Sequence, residues 1–112
     1  MARWWRGVAA AACVAAAGIA GPARAGDPER GKALFAAKCV MCHGPDGKGD
    51  GPAASGFNPP PANFTAPSFW QRVTPAIIEE TIEKGHGGMP AVDSDPRDAE
   101  DLAAYLTQTF QK

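Results

Sequence analysis

Long apolar runs, cysteine and surplus positive charge are all scarce in this sequence, and each shortage excludes something. The most apolar stretch, Gly7 to Gly21, falls short of the about 20 residues needed to cross a bilayer comfortably. Three cysteines in 112 residues are too few for a disulfide-built scaffold. Basic residues number 11 against 12 acidic ones, which argues against a nucleic-acid partner. No run of alternating apolar and polar residues is long enough to form a strand, so a β architecture is not expected.

The first 25 residues have the layout of a secretory signal peptide. Arg3 and Arg6 supply the positive start, the alanine-rich stretch the apolar middle, and Ala23-Arg24-Ala25 a small-residue cleavage site. The expectation is removal of residues 1–25, export across the inner membrane to the periplasm, and one domain over 26–112 without stable membrane insertion. An uncleaved N-terminal anchor is the alternative. Lipid modification of Cys13 is disfavoured by the small Ala10 upstream and the short apolar run before it. Three of the basic residues, Arg3, Arg6 and Arg24, precede position 26, which leaves 8 basic against 12 acidic side chains in the mature part. That balance permits docking on a basic patch of a partner protein.

A domain of this size buries little apolar surface and needs a staple or a cofactor. The pattern is all-α. A first helix is expected from Asp27 as N-cap, with Pro28 at its first position, to about Cys39 or Cys42. A second runs from Thr74-Pro75 to Gly85 with Ile77, Ile78 and Ile82 on one face, and a third starts at Asp95-Pro96 and spaces Ala99, Leu102, Ala103, Leu106 and Phe110 helically. A short helical turn is expected near Ser68 to Arg72. Between the first two helices lies a glycine- and proline-rich stretch, Gly44 to Pro67, too long for an idle loop in so small a domain unless it wraps something functional.

Cys39, Cys42 and His43 form a C-x-x-C-H run. On a helical turn these positions are neighbours, so two thiols can bond to the two vinyl groups on one edge of a haem while the imidazole reaches the iron. The second imidazole nitrogen then needs an acceptor, for which the carbonyls of Pro61 and Pro52 are candidates. A zinc site fits poorly, because adjacent Cys42 and His43 lack the usual paired spacing, and a thioredoxin-like dithiol would sit beside a βαβ pattern that is absent. Met89, in Gly87-Gly88-Met89-Pro90, is the candidate for the opposite side of the iron, where a thioether raises the reduction potential. His86 is its rival, and Met41 should point away. Asp46 to Gly51 fails as a calcium loop, since Lys48 and Phe57 stand where ligands are required. Trp70 is open to two roles, an indole hydrogen bond to a haem propionate or apolar packing.

With these residues in place, the chain resembles the class I c-type cytochromes, in particular small bacterial periplasmic monohaem members, over about Gly26 to Phe110. Gly31 and Phe35 precede Cys39 by eight and four residues, Cys39-Val40-Met41-Cys42-His43-Gly44 matches the attachment signature, and Gly88-Met89-Pro90 matches the distal segment. The resemblance implies the cytochrome c fold: three main short helices and Gly/Pro-rich loops wrapped around one covalent haem c, one per chain. It also implies that Gly31 lets the first and last helices cross closely while Phe35 and Tyr105 fill the contact. Iron ligated by His43 and Met89 leaves no open position. The implied function is electron transfer rather than catalysis, as a mobile carrier or a small subunit of a respiratory or dehydrogenase complex. Donor and acceptor would be redox proteins, and the chain a monomer or complex subunit. A haem-based sensor or small-ligand binder with a labile distal methionine is the alternative.

Overall fold

The computed structural model describes residues 26–112; the signal-peptide reading concerns residues 1–25 and lies outside them. Five α-helices and one 3-10 turn follow in order: α1 Pro28–Lys38, α2 Val40–His43, the turn Ala54–Gly56, α3 Pro67–Arg72, α4 Pro75–Lys84 and α5 Pro96–Phe110. Among the described residues there is no strand, only one isolated bridge between His86 and Met89. The all-α expectation is met, and the faint signal near Ser68 is a true helix.

The helix starts follow the capping chemistry of the sequence. Asp27 accepts from the N–H groups of Glu29 and Arg30, Thr74 accepts from Ile77, and Asp95 with Asp98 forms a reciprocal capping box; all three helices have proline in the first turn. Each such cap is worth about 0.5–2 kcal/mol. α4 ends where Gly85 takes φ +81°, a conformation other residues rarely adopt.

α1 and α4 both pack on α5. α5 supplies Ala99, Leu102, Ala103 and Leu106 to the core, and α4 supplies Ile78 and Ile82. Ile77 departs from the expected apolar face and is 45 % exposed. The buried side chains of α4 are Ile78 and Ile82, one turn apart, and Ile77 points about 100° round the helix from Ile78. Where α1 crosses α5, Gly31 lies against the backbone of Asp101 and the Cβ of Tyr105. Phe35 fills the contact, its ring centroid 5.4 Å from Tyr105 and 6.3 Å from Phe110.

A polar clasp closes the other edge of this crossing. Arg30 donates through Nη1 to Asp101 and through Nη2 to Asp98, each at 2.6 Å, and the Asp27 N–H donates to Asp101 at 2.7 Å. Arg30 holds the Asp98 carboxyl below the usual carboxylate range, helped by the Asp95 N–H. Burial pushes Asp101 up, but the Asp27 N–H and Arg30 outweigh it and hold this carboxyl low as well.

Candidate functional site

The C-x-x-C-H turn is built where α1 stops. Cys39 caps α1, its N–H bonded to the Phe35 carbonyl, and opens α2, its own carbonyl accepting from Cys42 at 3.3 Å and His43 at 2.9 Å. Cys39, Cys42 and His43 therefore share one turn, as their spacing requires. A four-residue helix has no stability of its own, because its last carbonyls lack internal partners. Here the following loop satisfies them. Gly44 N–H bonds Val40 O, Ala53 N–H bonds Met41 O, Gly51 N–H bonds Cys42 O, and Gly49 N–H bonds His43 O, at 2.8 to 3.0 Å. Gly51 lies so close that a Cβ would overlap the Val40 and Met41 carbonyls. Gly51 is the position at which the loop backbone comes directly against α2.

Both thiols are free and half-buried. Burial pushes the Cys39 thiol up to about 11, against a smaller downward pull from Lys38. A thiol protonated at neutral pH does not suit a redox dithiol, whose attacking sulfur needs thiolate character. Among the described residues no group of three or more His, Cys, Asp or Glu side chains converges on a metal-ion site. Met41 points outward, 60 % exposed.

His43 is buried, and its Nδ1 lies 3.2 Å from the Ala62 carbonyl oxygen. A carbonyl only accepts, so the ring proton belongs on Nδ1 and the Nε2 lone pair is free. Burial lowers the His43 pKa against the opposing pull of the Ala62 bond, which favours the neutral imidazole, the form able to bind a metal. The acceptor is thus neither Pro61 nor Pro52. The Pro61 carbonyl faces Gly49, and the next carbonyl along the chain is the one that reaches the ring.

Trp70 also departs from one expectation. Its Nε1–H donates to the Phe64 carbonyl at 2.8 Å and is committed within the protein, not held ready for a propionate. Phe64 itself is a residue the sequence did not single out. Its ring stacks on His43, centroids 4.6 Å apart and planes inclined by 22°. Nothing in a chain with five phenylalanines separates Phe64 from the others except its place two residues after Ala62.

Met89 sits at the end of a tight hairpin: His86 N–H bonds Met89 O and Met89 N–H bonds His86 O, both at 2.9 Å, with Gly87 at φ +58° between them. The Met89 side chain is half-buried and packs, like Cys39, against the central buried cluster that contains Phe64. The His86 side chain is exposed. The hairpin is tied to the helices by Val92 N–H to Ile82 O at 2.8 Å and Lys38 Nζ to Asp93 O at 2.5 Å.

Comparison with known proteins identifies the family. The family described as cytochrome C oxidase, cbb3-type, subunit III matches residues 26–106. The chain belongs to this cytochrome c family. It is 30 % identical over 85 residues to a cytochrome c-553-like protein of Synechocystis sp., covering 72 % of this chain and 68 % of that one. In structure it is similar to the KustC0563 c-type cytochrome, with a TM-score of 0.62 at 22 % identity over 73 % of this chain and 98 % of the other, a likeness of fold. This small c-type cytochrome therefore binds haem c covalently and serves haem-based electron transfer. The residues present fit that group: two free thiols on one helical turn, and beside them an imidazole with one nitrogen tied back and the other unengaged.

Proposed function

We propose that the mature protein, residues 26–112, is a periplasmic electron carrier whose single haem is attached through Cys39 and Cys42 and ligated by His43 and Met89. The observation that carries this reading is the His43 Nδ1 contact to Ala62 O, because it fixes the tautomer that frees Nε2 for iron. When bound, the haem iron supplies the one-electron chemistry. The chain's own contributions are distinct. Cys39 and Cys42 would hold the group by thioethers, His43 and Met89 would supply its iron ligands, and the buried cluster that contains Phe64 and Leu102 would pack beside it. A soft thioether from Met89 paired with the His43 imidazole would favour the reduced state.

Partners are redox proteins that touch the chain briefly, with the chain as mobile carrier or as small subunit of an oxidase or dehydrogenase. Among the described residues no helix is long and apolar enough to cross a membrane. Export follows from the leader-like Met1 to Ala25, and the N-terminal sequence of protein recovered from periplasm should begin at Gly26.

The reading is tested by expressing the full chain with the haem-attachment machinery and titrating the product potentiometrically. A reversible one-electron couple with a c-type spectrum, and no carbon monoxide binding to the reduced form, is expected. Rapid carbon monoxide binding would instead favour a sensor with a labile distal position.

A further inference from the structure

Trp70 lies on α3, away from the attachment turn, yet its hydrogen bond leads to it. The indole Nε1–H donates to Phe64 O at 2.8 Å, while the Phe64 N–H donates to Gly47 O at 2.7 Å, so both polar groups of the Phe64 backbone are clamped. The same short segment makes the two contacts that orient His43. The Phe64 ring covers the imidazole face, and the Ala62 carbonyl takes Nδ1. Packing alone does not call for this bond, because Trp70 is only half-buried and an indole at such a position can leave its N–H in water. Instead the N–H is spent on the one residue whose side chain lies on the His43 ring.

We infer that Trp70 is a positioning residue for His43: its indole N–H fixes the Phe64 backbone and so sets the orientation and hydrogen bonding of the axial imidazole. This rests on His43 being the iron ligand. Groups that hold the far nitrogen of a ligating histidine control ring orientation and basicity, and through them the electronic state of the metal. The Ala62 bond makes the imidazole a stronger donor, which favours oxidised iron. Loosening segment 62–64 weakens that bond and should raise the potential.

The test uses the haem-loaded protein, with Trp70→Phe, which removes the N–H, and replacement of Trp70 by benzothienylalanine, which keeps the bicyclic shape and puts sulfur in place of the N–H. The readouts are the paramagnetically shifted His43 ring resonances of the oxidised form and the midpoint potential. Both variants are expected to shift the His43 resonances and to raise the potential, with the isostere retaining the wild-type melting temperature more nearly than Trp70→Phe. Unchanged His43 resonances and potential in the folded isostere would overturn the inference and leave Trp70 a packing residue. Wild-type protein without His43 ring resonances in the shifted region would overturn the ligand assignment itself, a separate result read before any variant is made.

Discussion

Gly31 of α1 lies against the main-chain carbonyl of Asp101 in α5, with no room between them for a Cβ. This contact sets the distance at which the first and last helices cross. Gly31→Ala must push the helices apart and disturb the Phe35–Tyr105 contact one turn away, at a cost of about 1–3 kcal/mol. For a domain this small, each kcal/mol lowers the melting temperature by about 4–8 °C. Thermal unfolding followed by circular dichroism measures it, and an unchanged midpoint would show that the crossing is looser than described.

The clasp of Arg30 on Asp98 and Asp101 predicts a particular loss of stability in acid. Both carboxyls are held below their ordinary values in the folded state, so their contribution is fully present above the unfolded carboxylate range. It is lost as the pH falls through the lower, folded values. Arg30→Met should destabilise the protein at neutral pH and flatten the acid limb of stability against pH. Parallel curves for the two proteins from neutral to strongly acid pH would contradict this.

If haem is attached through thioethers to Cys39 and Cys42, removing the thiols should have graded effects. Cys39→Ala or Cys42→Ala should each leave haem bonded to the chain through the remaining sulfur, with an altered spectrum. The double variant should release haem on denaturation. Mass spectrometry under denaturing conditions reads this directly, and haem retained by the double variant would show that another residue is bonded to it.

If Met89 closes the second axial position, Met89→Ala should lower the midpoint potential and admit carbon monoxide to the reduced protein. His86→Ala, which removes an exposed imidazole, should leave both properties unchanged. The reverse outcome would exchange the roles of the two residues.

Much of this was legible in the sequence for identifiable reasons. Asp27-Pro28, Thr74-Pro75 and Asp95-Pro96 each place an acceptor side chain and a pre-set φ at a helix start, which is local chemistry. Cys39, Cys42 and His43 are joined by their spacing alone. What escaped depends on distant chain segments. Ala62, not Pro61, accepts from His43, and which carbonyl reaches the ring is a matter of how the loop folds back. Phe64 on His43, Trp70 on Phe64 and Arg30 on two α5 carboxylates are pairings across the fold, invisible to spacing or propensity. Ile77 is apolar like Ile78 and Ile82, yet its position on the helix points it outward.

The central claim, one closed haem held between His43 and Met89, is tested most directly by proton NMR of the reduced, haem-loaded protein. A methyl group bonded through sulfur to the iron lies over the face of the porphyrin and in its ring current. A three-proton resonance far upfield, assigned to Met89 and absent from Met89→Ala, is predicted. A reduced protein with no such resonance and with two imidazoles shifted by the ring current would contradict the account and make His86 the distal ligand.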